Sequence, residues 1–230
     1  VGSVRLPAWR LDTTALPRRI HAGRLLSQRS QRALIGRERE LARVQEAFEK
    51  GLESSRLQRV AIVGERGSGR GRFIDEASHR VRAAWQDTTM TRAAIRGRDE
   101  MTVPFQLRQE LVTTLLNSLS SAQEPEAQLT ETLAILSPFE AALNDRFVRD
   151  RLAMVAGIAD MRSEAPTDPD HASEATYVAV ATLMRAAAQR GGLVLAVHDL
   201  SNAGPDHRRQ LLRLLDGLRD LPVLVLFATA

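Results

Sequence analysis

The sequence contains no cysteine, only one lysine and few aromatic residues. Without cysteine, the chain of 230 residues has no disulfide and no thiolate metal site, which fits the reducing cytoplasm where we expect the protein to reside. Aromatic residues make up 4% of the chain and hydrophobic residues 43%, so aliphatic side chains must form most of the core. No apolar run approaches the roughly 18 residues of a membrane span, so no membrane is expected as a partner.

The positive charge is concentrated near the N-terminus. Residues 1–37 carry eight arginines and one acid, a net charge of +7, whereas the whole chain has +4, which leaves −3 for residues 38–230. Residues 1–33 also lack periodicity, so we predict a basic arm or linker there and a separate domain over residues 34–230. Because Trp9 is the only aromatic residue of this arm, nucleic acid is not expected as its partner.

Strand and helix patterns alternate after the arm. The predicted strands cover residues 59–63, 90–96, 193–197 and 221–228. The predicted helices cover residues 38–52, 70–85, 104–120, 126–136, 139–162, 172–190 and 205–219. This order predicts an α/β fold in which a parallel sheet is flanked by helices, with a helical insertion in the middle. Because the last strand stops without a cap or tail, we also expect the chain to be a piece of a longer protein.

A glycine-rich segment joins the first predicted strand to the next helix. Its glycines at positions 64 and 69 have the spacing of the phosphate-binding P-loop, G-x-x-x-x-G-K-[ST]. In such a loop the backbone N–H groups surround the phosphates, and the helix that follows adds its N-terminal dipole. The sheet is therefore expected to be like that of P-loop NTPases. The candidate nucleotide-binding residues are Gly64, Glu65, Arg66, Gly67, Ser68, Gly69, Arg70, Gly71 and Arg72.

Two side chains depart from the P-loop pattern. Arg70 stands where the lysine would bridge the β- and γ-phosphates, and Gly71 stands where a Ser or Thr hydroxyl would hold Mg²⁺. Arginine keeps the positive charge in a larger planar group, whereas glycine offers no side-chain ligand for the metal. We therefore expect ATP or ADP to be the cofactor, with Mg²⁺-assisted hydrolysis impaired and no metal ligand in the loop.

Other glycine motifs do not fit this segment. A dinucleotide-binding G-x-G-x-x-G starting at Gly67 would need its third glycine at Arg72, and a nucleophile elbow around Ser68 would need glycines at Arg66 and Arg70. A strand-to-helix turn that binds no ligand remains the structural alternative.

A second candidate site follows the apolar run Leu193–Val197. A buried strand that ends in an acid is typical of a Walker B strand, so Asp199 is the candidate catalytic residue that would orient the attacking water. The alternative role for Asp199 is that of a turn or helix cap. His198 could serve as a metal ligand or general base, but no second histidine lies at ligand spacing, so a zinc site is not expected.

A third motif, Leu34–Leu41 (L-I-G-R-E-R-E-L), precedes the loop. This box, followed by an amphipathic helix and a P-loop strand, resembles the opening of the AAA+ or STAND-type ATPase domains of large bacterial signalling proteins. The resemblance continues through Arg96–Phe105 and the sensor-like strand Val223–Thr229, so it covers about residues 34–230. It implies a regulatory or assembly module whose partners are other domains of the parent protein and further copies of itself.

The chain also departs from this family at the second site. There the strand usually ends in two acids, followed by a short L-H-W-A-D-like turn. Aligning Leu200 and Ala203 with that turn puts Asp199 on the second acid, His198 on the metal-associated first acid and Gly204 on a later acid. The resemblance therefore implies a degenerate domain with little or no ATP hydrolysis. Two alternatives stay open: an active ATPase in which the arginine of the loop replaces the lysine, and a scaffold that has lost nucleotide.

Overall fold

A computed structural model of the chain describes residues 34–65, 67–94, 103–158, 169–198, 200 and 203–229. By its contacts the chain divides into Val1–Leu34 and Ile35–Ala230, and the described residues belong almost entirely to the second unit. The predicted basic arm, residues 1–33, lies outside the described residues. In the part that is described, no helix is both long and apolar enough to cross a membrane.

The described residues form seven α-helices and four β-strands. In chain order they are α1 (Glu38–Ser54), β1 (Gln58–Val63), α2 (Arg70–Ala84), β2 (Thr89–Ala94), α3 (Val103–Leu119), α4 (Pro125–Leu136), α5 (Arg146–Val155), α6 (Pro169–Gly191), β3 (Leu193–His198), α7 (Pro205–Asp216) and β4 (Val223–Thr229). A short 3-10 helix, Ala141–Asn144, lies between α4 and α5.

The four strands form one parallel sheet in the order β1-β4-β3-β2. In its register, Val60 of β1 lies opposite Leu226 of β4, and Leu195 of β3 lies opposite Val225. Parallel neighbours need crossover connections, and here helices supply them. The longest crossover, from β2 to β3, contains α3 to α6. The predicted parallel α/β fold with a helical insertion is therefore confirmed.

Side-chain alternation along β3 directs its residues to both faces of the sheet. Leu193, Leu195 and Val197 of β3 belong to one hydrophobic core with the inserted helices and α7. The alternate residues of β3 point the other way, toward the layer that contains α1 and α2. His198, the last residue of β3, follows this alternation and faces α2. Sheet geometry therefore brings the end of β3 to the helix that follows the glycine-rich loop.

One predicted helix, over residues 139–162, is wrong as a continuous element. In the structure the 3-10 helix ends at Asn144 and α5 begins only after Asp145. Asp145 has extended backbone angles, and its carboxylate accepts hydrogen bonds from Phe147 N at 2.7 Å and Val148 N at 3.4 Å. An aspartate that caps the N–H groups of a following turn favours a helix start over a helix interior.

An ion pair joins α6 to α7. Arg213 donates to both carboxylate oxygens of Glu174, at 2.7 and 2.6 Å, and its guanidinium lies 4.1 Å from the centre of the Tyr177 ring. The hydrogen bonds from Arg213 lower the pKa of Glu174. The stabilisation is therefore present at neutral pH and is lost as the pH falls through this lowered pKa. Both side chains are about half exposed, so the contribution is small.

The turn between α6 and β3 depends on a glycine. Gly192 has φ +88°, and a Cβ on it would lie 2.7 Å from Phe48 Cζ and 3.1 Å from Leu52 Cδ2 of α1. We expect Gly192→Ala to lower the free energy of unfolding by about 2–3 kcal/mol, because left-handed strain adds to overpacking. Gly36→Ala is the matched control, since Gly36 has φ +78° with nothing within 4 Å of the added carbon. Equal losses in chemical denaturation would contradict the steric part of this explanation.

Candidate functional site

The connection from β1 to α2 is a glycine turn at the carboxyl edge of the sheet. Gly67 and Gly69 have φ of 89° and 85°, a left-handed backbone that glycine adopts without steric cost. Ser68 N donates a hydrogen bond to Glu65 O at 3.2 Å, which closes the turn. This part of the chain is exposed, so a ligand can reach the loop backbone from solvent.

Gly64, the first residue after β1, is in close contact with the rest of the loop. A Cβ at this position would lie 2.8 Å from Ser68 Oγ and 3.7 Å from both Cγ and Cδ of Arg70. The loop therefore folds back over its own start, and the two glycines that define the motif, Gly64 and Gly69, have separate structural roles. Gly64 leaves room for the side chains of Ser68 and Arg70, whereas Gly69 adopts the left-handed backbone conformation that the turn requires.

The N-terminus of α2 directs the backbone N–H groups of its first turn toward the loop. Gly69 is the N-cap residue, and its carbonyl accepts the first helical hydrogen bond, from Phe73 N at 2.9 Å. The N–H groups of the first turn have no partner within the helix, and a glycine N-cap has no side chain to accept from them. The first turn contains Arg70 and Arg72 and no acid. The dipole and the local charge therefore both favour an anion at this point.

Arg70 contacts the sheet as well as the loop. Its stem lies against Gly64, and its Nη1 donates a hydrogen bond to the backbone carbonyl of Thr229 at the end of β4. The guanidinium at the lysine position thus ties the start of α2 to the end of a neighbouring strand. A lysine ammonium differs from this guanidinium in shape, length and direction of its donors, so the substitution changes direction and reach as well as size.

His198 lies directly beside the second loop departure. A Cβ on Gly71 would lie 3.6 Å from His198 Nδ1, the one contact within 4 Å that the described residues outside the helix backbone provide. On the other side of the ring, His198 Nε2 lies 3.4 Å from Asp75 Oδ1, within ion-pair distance but without hydrogen-bond geometry. The side chain of His198 is 15% exposed and that of Asp75 is 40% exposed. The ring is therefore held between β3 and the first two turns of α2.

The structure brings most of the predicted site residues together. Gly64, Glu65 and the residues from Gly67 to Arg72 lie in the glycine turn and the helix start, and His198 joins them from β3. Arg66 and Asp199 lie outside the described residues, so their predicted roles stay predictions. The same holds for the stretch 96–102 and for residues 201–202.

Two contacts of this site were not anticipated from the sequence. Asp75 lies four residues after Gly71, which places both on one face of α2, and that spacing could have identified it as a neighbour of the metal position. The Thr229 carbonyl is a backbone group of β4, which is far from the loop in sequence, so no sequence pattern could have identified it. Neither Asp75 nor Thr229 was among the candidate binding residues.

A second concavity lies on the opposite face of the sheet from α2. It has a volume of about 410 Å³ between α7 and the sheet. It is lined by Arg59, Val197, Leu200, Arg208, Leu211, Leu212, Leu215, Val225, Phe227 and Thr229. The lining is mostly aliphatic, and the loop glycines do not contribute to it. This cavity lies on the other face of the sheet from the anion site at the start of α2, and Thr229 borders both.

Comparison with known proteins agrees with this geometry. A family model described as an AAA ATPase domain matches residues 33–226. No curated protein and no solved structure matches the chain. The matched range contains β1 to β3, the first four residues of β4, the P-loop and the whole helical insertion. Such a domain implies nucleotide binding. The chain belongs to the AAA ATPase domain family.

Proposed function

We propose that this chain is a degenerate AAA ATPase domain that binds ATP or ADP weakly and hydrolyses little or none of it. The observation that carries the proposal is the loop between β1 and α2. Its backbone has the left-handed glycines and the open helix N-terminus that surround phosphates, with Arg70 and Gly71 in place of lysine and hydroxyl. Backbone donors bind phosphates without those two side chains, so binding outlasts the loss of hydrolysis.

The family implies a magnesium ion beside the nucleotide, and the described residues do not fit one. Gly71 has no side-chain oxygen ligand, and the group that faces it is an imidazole nitrogen of His198. Mg²⁺ demands near-octahedral oxygen coordination. In the described part of the chain, no group of three or more acids or histidines could hold a metal ion. These observations support impaired Mg²⁺-dependent hydrolysis.

The second candidate function is an active ATPase with a variant loop. Arginine has five N–H donors, and the contact with Thr229 uses Nη1, so the remaining donors of Arg70 could still reach a phosphate. In this version Asp199 orients the attacking water. Steady phosphate release that disappears in Asp199→Asn would favour it, and release at the background rate would count against it.

The cellular setting that we propose is a large bacterial signalling protein in the cytoplasm. The G-R-x-x-E box at Leu34–Leu41 supports a STAND-type relationship, as does the helix that follows it. Nucleotide state would then control contacts with other domains of the parent protein or with further copies of the module. The predicted arm over residues 1–33 is the candidate contact surface in a version that has lost nucleotide.

The first experiment is a calorimetric titration of ATP and ADP into this chain, with Mg²⁺ and then with EDTA. We expect dissociation constants on the order of 0.1–1 mM, or about 4–5.5 kcal/mol, that differ by less than about three-fold between the two conditions. A strong requirement for magnesium would instead move the variant ATPase to first place. No heat at several millimolar nucleotide in either condition would reject nucleotide binding and leave the scaffold version.

A further inference from the structure

Gly71 and His198, the two residues that depart from the magnesium-binding pattern, face each other. Gly71 and Asp75 are one helical turn apart on α2, and the His198 ring spans the distance between them. Nδ1 faces the position where a Cβ on Gly71 would lie, 3.6 Å away, and Nε2 faces Asp75 Oδ1 at 3.4 Å. The two departures from the family pattern, at Gly71 and His198, are thus far apart in sequence but adjacent in the site.

We infer that His198 excludes magnesium from the site by occupying the place of the metal, and that Gly71 and His198 form a coupled pair. This inference rests on the proposed nucleotide binding and adds to it the group that makes that binding independent of metal. A ligand that was simply missing would leave a space for hydrated Mg²⁺. Here the space beside Gly71 is occupied by a ring whose Nε2 lies 3.4 Å from Asp75 Oδ1 on the other side.

Replacing Gly71 and replacing His198 are expected to have different effects on the space for a metal ion. A serine at position 71 fits, because its Cβ would be in ordinary contact with the ring, and the described residues place no closer atom beside it. Its hydroxyl would then lie next to the imidazole, where a metal at 2.0–2.1 Å from the oxygen and its water shell would overlap the ring. Removal of the ring alone opens the space but supplies no hydroxyl. Only the double change restores both.

The burial of the His198 ring also bears on whether variants at this position fold. His198 Nε2 is buried and makes no hydrogen bond within the described structure. A polar atom that is buried without a hydrogen bond costs free energy. The position therefore gives the histidine little stabilisation through Nε2, and replacing it does not remove a hydrogen bond on that side. The variants below are accordingly expected to fold.

The test compares ADP binding with Mg²⁺ and with EDTA in the full chain. The variants are the wild type, Gly71→Ser, His198→Asp and the double variant Gly71→Ser with His198→Asp. We expect the ratio of the two affinities to stay within about three-fold of one in the first three proteins. In the double variant we expect magnesium to strengthen ADP binding about ten-fold or more, as gains and losses at metal sites usually do.

A spectroscopic readout and two further variants accompany this titration. Electron paramagnetic resonance of Mn²⁺ with ADP reports bound metal directly and should detect it in the double variant but not in the wild type or in either single variant. Gly71→Ser with His198→Asn avoids a new carboxylate beside Asp75 and should show the same trend more weakly. Gly71→Ser with His79→Asp is the matched control, because His79 is an exposed histidine on the same helix. It should behave like Gly71→Ser alone.

Each remaining outcome is decisive. Metal dependence that is equally large in Gly71→Ser alone would show that His198 does not exclude the ion. A folded double variant that binds ADP equally with Mg²⁺ and with EDTA, and no Mn²⁺, would overturn the inference and leave the proposed function intact. A wild-type chain that binds no ADP in either condition would overturn the proposed function, and the inference with it.

Discussion

Replacement of Gly69 by valine is expected to weaken ATP and ADP binding at least ten-fold while the domain stays folded. Gly69 is the N-cap of α2 with φ +85°, and a β-branched residue is a steric outlier in that region. Holding valine there costs about 1–3 kcal/mol, which the loop can relieve by rotating its backbone away from the binding conformation. Because ten-fold in affinity corresponds to about 1.4 kcal/mol, a small rotation of the donors is enough.

Gly157→Val is the matched control for that prediction. Gly157 has φ +75°, and a Cβ there would lie 3.5 Å from Gln109 Nε2, an ordinary contact far along the chain from the loop. Both variants should lose similar stability in thermal denaturation, and only Gly69→Val should lose nucleotide affinity in the calorimeter. If Gly69→Val binds ADP as well as the wild type does, the loop backbone is not the phosphate site.

The loop was predictable from the sequence because its structure is local. Glycine spacing encodes the backbone conformation, and the structure has left-handed residues at Gly67 and Gly69. The parallel sheet was predictable for a related reason. The apolar run Leu193–Val197 has no polar alternation, as expected of a strand covered on both faces, and it is fully buried in the middle of the sheet.

The site contacts that the sequence could not give are all long-range. The bond from Arg70 to the Thr229 carbonyl depends on the register between β1 and β4 and on an arginine rotamer. The position of His198 beside Gly71 and Asp75 depends on which face of β3 is covered by α2. A shift of β3 by one residue would turn His198 to the other face of the sheet. The break at Asp145 is a different case, since side-chain capping competed with helix periodicity and prevailed.

Leu183→Ala is expected to have the largest effect on stability, about 2–5 kcal/mol in the free energy of unfolding. Leu183 lies on α6 with 0% of its surface exposed, in the core that the inserted helices share with β3 and β4. For a domain of this size the loss corresponds to a fall of roughly 4–20 °C in melting temperature. Val178→Ala is the control on the same helix, since Val178 is 47% exposed and should cost little.

The number of unfolding transitions shows whether the stability of the inserted helices is linked to the nucleotide site. Core residues from the insertion and from the sheet form one continuous cluster, so calorimetry should show a single unfolding transition in the wild type and in Leu183→Ala. Two transitions would contradict this and make the insertion a separate unit. A single transition has a functional consequence, because α6 leads through Gly192 directly into β3, which ends at His198. Loosening α6 should then weaken nucleotide binding near the melting temperature, although no residue of α6 lines the loop.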